Sequence, residues 1–139
     1  MFLFDQVTIL GPGLLGASLG MAFRNHRLAG KIVVWARKKE TLLQCEGKDW
    51  CDQTEYDIEK ALDGSNLIVI CTPEQSILTL LPKIIRLTNK NVVITDVGSA
   101  KGSICKTAEI CADIERGRFI GSHPMAGSEK SGMKYADAD

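Results

Sequence analysis

The sequence predicts a doubly wound α/β domain with a mainly parallel sheet. Two observations carry that prediction. Short runs of β-branched and apolar residues alternate with segments of helical spacing from one end of the 139 residues to the other. Those runs are continuously apolar rather than alternating, as strands are when helices cover both faces of a sheet. A cluster of glycines between the first run and the first helical segment adds a third signal, one that concerns function as much as fold.

Val7-Thr8-Ile9-Leu10 reads as a buried strand ending at glycine. From Leu14 to Arg27, Leu15, Leu19, Ala22 and Phe23 recur at i, i+4, i+7 and i+8, one face of a helix. Asn25, His26 and Arg27 close it with polar and basic groups where the helix dipole favours cations, so His26 reads as a helix-end residue. Ile32 to Trp35 is a second strand. A short helix near Glu40 to Cys45 and a weak third strand near Cys51 to Thr54 follow. Asp57 to Leu62 is a short helix, and Leu67 to Cys71 is the most strongly patterned strand in the chain. Ile77, Leu80, Leu81, Ile84 and Ile85 are spaced as a helix that Pro82 should kink or split. Val92 to Thr95 is a strand, Ile104, Ala108 and Cys111 mark the next helix, and Phe119-Ile120 is a short last strand. No repeat, low-complexity tract or linker divides the chain, which is the size of one domain.

Charge and composition narrow the function classes. Seventeen basic residues balance seventeen acidic ones, so the chain lacks the basic excess of a nucleic-acid or membrane-surface binder. No apolar run reaches the ~18 residues of a membrane span, and the N-terminus lacks a basic signal-peptide start. The expected setting is the cytoplasm. Five cysteines with no C-x-x-C, beside two histidines, argue against both a zinc site and a disulfide framework. Cys71, inside an apolar run, reads as a small buried hydrophobe.

Gly11-Pro12-Gly13-Leu14-Leu15-Gly16 fits G-x-G-x-x-G in the context that makes it informative: after a strand, opening a helix, with a second strand close behind. Gly11 serves the tight turn, Gly13 lets the backbone approach a pyrophosphate, and Gly16 lets helix and strand pack closely. The helix N-terminus supplies N–H groups and a positive dipole end. Pro12 removes one N–H there, so donors must come from its neighbours. An acid about 20 residues further on would bind the adenosine ribose hydroxyls. Instead Ala36-Arg37-Lys38-Lys39 stands there with no carboxylate from Trp35 to Lys39. Cations at this place suit a 2′-phosphate, which favours NADP over NAD.

In such a sheet, ligands gather beyond the C-terminal ends of the strands. Three further segments should arrive there: Thr72-Pro73, Asp96 to Lys101, and Gly121 to Gly132. The candidate cofactor-binding residues are therefore Gly11, Gly13, Leu14, Leu15, Gly16, Ala36, Arg37, Lys38, Cys71, Thr72, Pro73 and Gly98. Ser99 could cap the helix after it while still facing a ligand. His123 precedes Pro124, which confines its backbone to extended conformations and fixes where the imidazole points.

The strings G-P-G-L-L-G-A-S-L-G, T-P after the fourth strand, D-V-G-S-A-K and G-S-H-P-M-A-G-S-E-K-S-G resemble the prephenate/arogenate (cyclohexadienyl) dehydrogenases of tyrosine biosynthesis. The resemblance runs from about Val7 to Asp139, and its last block is far more specific than the glycine motif. It implies NADP-linked oxidative decarboxylation of a cyclohexadienyl substrate, prephenate or arogenate. In that reaction His123 takes the proton of the C4 hydroxyl, Ser99 orients the same cluster, and Ser128 and Glu129 line the substrate side. The family's mostly helical C-terminal domain, which forms the homodimer, is expected to lie beyond residues 1–139, leaving a cofactor-binding half that turns over poorly or not at all alone. Family members with an acid after the second strand tend to use NAD, a pattern Ala36-Arg37 does not fit. Two other readings stand beside this one. Another hydroxyacid or imine oxidoreductase would want a catalytic lysine on a later helix. A non-catalytic dinucleotide sensor would not depend on His123.

Overall fold

The computed structural model describes residues 1–124 and 132–139. Six strands form one parallel sheet in the order β3-β2-β1-β4-β5-β6. They are β1 (Phe4–Leu10), β2 (Ala29–Trp35), β3 (Gln53–Glu55), β4 (Leu67–Ile70), β5 (Val93–Asp96) and β6 (Arg118–Ile120). The helices are α1 (Leu14–Asn25), α2 (Lys39–Cys45), α3 (Ile58–Leu62), α4 (Glu74–Leu87) and α5 (Lys101–Cys111), and a 3-10 turn spans Met133–Tyr135. The order reverses between β1 and β4, the switch point at which such sheets open a crevice beyond their strand ends.

Side chains alternate across the sheet into two cores. Ile68 and Ile70 of β4 face α3, α4 and α5, packing with Ile77, Leu81, Ile84 and Ile104. Leu67 and Val69 face the other layer, with Val7, Ile9, Ala17 and Leu42. Both faces being covered explains the unbroken apolar runs of β1, β2 and β4. β5 and the edge strand β6 alternate in burial instead.

Three expectations are corrected. Pro82 lies inside α4 without splitting it; the buried stripe Ile77, Leu81, Ile84 and Ile85 holds both halves on the sheet, which outweighs one lost main-chain bond. β3 falls at Gln53–Glu55, where it pairs with the C-terminal half of β2, rather than starting at Cys51. Asp57 is not in α3 but caps it, its carboxylate accepting from the N–H groups of Glu59 and Lys60.

Candidate functional site

Five chain segments leave the C-terminal edge of the sheet side by side: those after β2, β1, β4, β5 and β6. Four strand spacings separate the first from the last, about 19 Å. That is an elongated site, with the glycine turn toward its β2 end and the β5–β6 segments at the other.

Gly11 sits at φ +94°, and its N–H donates to the Trp35 carbonyl at 2.9 Å. A Cβ on it would meet Thr72 Cγ2 at 3.0 Å and the Cys71–Thr72 backbone at 3.1 Å. The β1 and β4 ends therefore touch through a residue without a side chain. Gly16 is buried, and a Cβ there would stand 2.2 Å from the Gly11 carbonyl oxygen. Gly13 is different: nothing lies within 4 Å of where its Cβ would be. It begins α1, whose first turn is capped by no side chain, so its amides face the opening as an anion site would require.

That opening is a cleft of about 210 Å³ lined by Gly11, Pro12, Gly13, Trp35, Ala36, Arg37, Lys38, Thr41, Cys71, Thr72 and Pro73. Eight of the twelve residues proposed from the sequence for the cofactor meet there. Leu14, Leu15 and Gly16 stand behind it in the first turn of α1, and Gly98 lies at the end of β5. Ala36 is buried, while Arg37 and Lys38 are exposed and, among the described residues, in no ion pair. Lys39 lies over the Tyr56 ring at 5.2 Å. Thr72 Oγ1 is buried and, among the described residues, has no hydrogen-bond partner, as a hydroxyl reserved for a ligand would be. Cys71 is half-buried rather than fully enclosed. Desolvation, with the Asp96 charge second, pushes its thiol up to about 12, so it lines the cleft as an inert wall.

Gly98 is glycine because Ile104 Cδ1, Ile77 Cδ1 and Asp96 Oδ2 would lie 2.7, 3.0 and 3.1 Å from its Cβ. Ser99 does not cap α5: the N-cap position is Ala100, and among the described residues no side chain caps the helix. Its hydroxyl instead donates to Glu74 Oε1, which also accepts from the N–H groups of Ser99 at 2.9 Å and Ala100 at 2.8 Å. Those three bonds hold the Glu74 carboxyl below the usual carboxylate range, the Ser99 hydroxyl being the largest cause.

His123 is exposed just beyond β6. The residue before it is tied back to β5: Ser122 Oγ lies 2.7 Å from Thr95 Oγ1, and Ser122 N–H donates to Asp96 Oδ1 at 3.2 Å. Asp96 is wholly buried and pairs through Oδ2 with Lys101 at 2.5 Å. Ser128 and Glu129 lie outside the described residues. Sequence reading passed over Glu74, Thr95 and Asp96 as individual side chains. An acid closing an apolar strand run was a signal for Asp96; nothing local marks Glu74, whose partners are 25 and 26 residues away.

In sequence and fold the chain is similar to known proteins. A family model described as prephenate dehydrogenase, nucleotide-binding domain, matches residues 19–139. Prephenate dehydrogenase of Lactococcus lactis is 31% identical over 134 residues, covering 95% of this chain and 37% of that protein. The structure of Synechocystis arogenate dehydrogenase superposes with a TM-score of 0.81 at 29% identity, over 95% of this chain and 45% of the other. Prephenate dehydrogenase from A. aeolicus, solved with hydroxyphenyl propionate and NAD+, gives 0.82 at 24% identity, over 96% and 46%. At that identity the likeness speaks for the fold alone. The chain spans less than half the length of each of these relatives.

Proposed function

The chain belongs to the prephenate dehydrogenase nucleotide-binding domain family, and from that premise we propose that it is the cofactor-binding part of an NADP-linked dehydrogenase acting on prephenate or arogenate in tyrosine biosynthesis. The cleft between β1, β2 and β4 carries this reading. It joins an open glycine at a helix N-terminus, a Thr72 hydroxyl without a partner among the described residues, and the cations Arg37 and Lys38, in no ion pair among those residues, where a ribose-binding acid would otherwise stand.

In this proposal the first turn of α1 and Gly13 take the pyrophosphate, Thr72 and Pro73 border its path toward β5, and Arg37 and Lys38 take the 2′-phosphate. The bound dinucleotide supplies the hydride acceptor. The substrate's C4 carbon gives up a hydride and its C4 hydroxyl gives up a proton to His123 as a carbonyl develops. The ring carboxylate then leaves as CO2, its bonding pair aromatises the ring, and the oxygen takes a proton back. General-base help of this kind is worth ~10²–10⁴-fold. Ser99, its only hydrogen given to Glu74, meets the reacting groups as an acceptor. Ser128 and Glu129 border the substrate. The rest of the substrate contacts, and the dimer, belong to a further helical domain, so residues 1–139 bind cofactor but turn over poorly or not at all by themselves. Among the described residues no helix is long and apolar enough to cross a membrane, and we propose a cytoplasmic setting.

Calorimetric titration with NADP+ and NAD+ at one salt concentration tests this. NADP+ binding at least tenfold tighter, about 1.4 kcal/mol, is expected. Equal affinities would remove the 2′-phosphate assignment, and binding of neither would overturn the cleft. Robust turnover by the 139-residue chain would refute the division of labour.

A further inference from the structure

We infer that the Asp96 carboxylate is the positioning group that sets the Ser99 and His123 segments against each other, with Lys101 as its counter-charge. The inference rests on the reading of Ser99 and His123 given above. β6 is a three-residue edge strand whose register with β5 ends at Thr95 and Ile120. Beyond that pair, among the described residues, no strand ladder aligns the two segments, although both candidate reacting residues lie there. Side chains take over. Thr95 Oγ1 donates to the Ile120 carbonyl at 2.6 Å, and Asp96 then spans the gap with both of its oxygens.

Oδ1 accepts from the N–H of Ser122, the residue before His123, at 3.2 Å. Oδ2 accepts from the N–H of Gly98, the residue before Ser99, at 2.9 Å. Only a carboxylate offers two acceptor oxygens in this geometry; an amide would turn an N–H₂ toward one of the two donors. Asp96 is 0% exposed, and burying a carboxylate without a counter-charge is costly. Lys101 Nζ, at 2.5 Å from Oδ2, supplies that counter-charge. A consequence is that Lys101 is committed to Asp96 and is not a cation for the substrate's carboxylates.

Amide hydrogen exchange on the ¹⁵N-labelled 139-residue chain tests this, comparing wild type with Asp96→Asn, Lys101→Met and the double variant. In Asp96→Asn the Gly98 and Ser122 amides should exchange at least tenfold faster, while the Val69 and Ile94 amides in the sheet keep their protection. The double variant should recover thermal stability by removing the unpaired lysine, yet leave Gly98 and Ser122 fast. Should Asp96→Asn fail to fold, Lys101→Met reads the same point through the partner of Asp96: the Gly98 and Ser122 amides should exchange faster than in wild type while the Val69 and Ile94 amides keep their protection. Unchanged protection at Gly98 and Ser122, or loss spread evenly over the sheet, would overturn the inference, the latter by reducing Asp96 to a stabilising residue. NADP+ affinity, measured on the same samples, should stay within twofold. A wild-type chain that binds no dinucleotide would sink the functional reading while leaving the exchange result legible.

Discussion

The two ends of the site are built by opposite means. At the glycine turn, geometry is set by what is missing: Gly11 and Gly16 approach backbone so closely that no side chain fits. At the β5–β6 end it is set by what is present, with Asp96, Lys101, Glu74, Thr95 and Ser122 bridging segments that no ladder aligns. Steric fit of backbone to backbone leaves nothing to relax. Hydrogen bonds between side chains can be exchanged singly. The first end should therefore break abruptly under substitution and the second by degrees.

The largest effect is expected from Gly16→Ala. Its Cβ would fall 2.2 Å from the Gly11 carbonyl oxygen, and main chain cannot swing aside as a side chain can. Overpacking usually costs about 1–3 kcal/mol, and this contact should reach the top of that range. Urea denaturation should report the loss, and NADP+ titration should show affinity falling by more than tenfold because the turn itself moves. A variant with wild-type stability and binding would mean the helix can slide and the turn is not rigid.

Arg37→Ala separates binding from building at the same end. Arg37 is exposed and in no described ion pair, so stability should stay put. NADP+ affinity should fall about tenfold, ~1.4 kcal/mol, with NAD+ affinity unchanged. Equal losses for both dinucleotides would move Arg37 from the 2′-phosphate to the adenine or ribose.

Gly98→Ala is the matched control for Gly16 at the other end. Its Cβ would meet the tips of Ile104 and Ile77 at 2.7 and 3.0 Å and a carboxylate oxygen at 3.1 Å. Side-chain tips can rotate away, so about 1 kcal/mol is expected, with NADP+ affinity falling by less than in Gly16→Ala. A cost matching that of Gly16→Ala would erase the contrast between the two ends.

The same contrast explains how much the sequence told. All six strands and five helices were legible, because alternating cores leave an apolar period in the chain and the strands of β1, β2 and β4 are buried on both faces. The glycine turn was legible because a missing side chain is a local fact. The capping role open to Ser99 is not the one its hydroxyl takes, and its partner Glu74 could not be foreseen, since it lies on another helix and no spacing rule links the two. β3 was displaced because its three residues are chosen by pairing with β2 rather than by their own propensity. Asp96 had a local signal, but its donors did not: they come from Gly98, Lys101 and Ser122, brought together only by the finished sheet.

The smallest effect belongs to Glu74 and is best read through pH. Its carboxyl is held below its ordinary value of 4.5 by the Ser99 hydroxyl first and then by the Ala100 and Ser99 amides. A carboxylate lowered on folding contributes its stabilisation in full above its unfolded value and loses it as pH falls through the lower, folded one. The wild-type Ser99 and Ala100 amide signals should therefore titrate together with a midpoint under 4.5. In Glu74→Gln that step should vanish, and the stability difference between the two proteins should close as the solution is acidified through the same window. Because Glu74 is open to solvent, the change in thermal midpoint at neutral pH should be slight. A midpoint at or above the ordinary value would mean that Glu74 does not hold Ser99 in solution, and Ser99 would then be free to donate its hydrogen to the substrate instead of accepting.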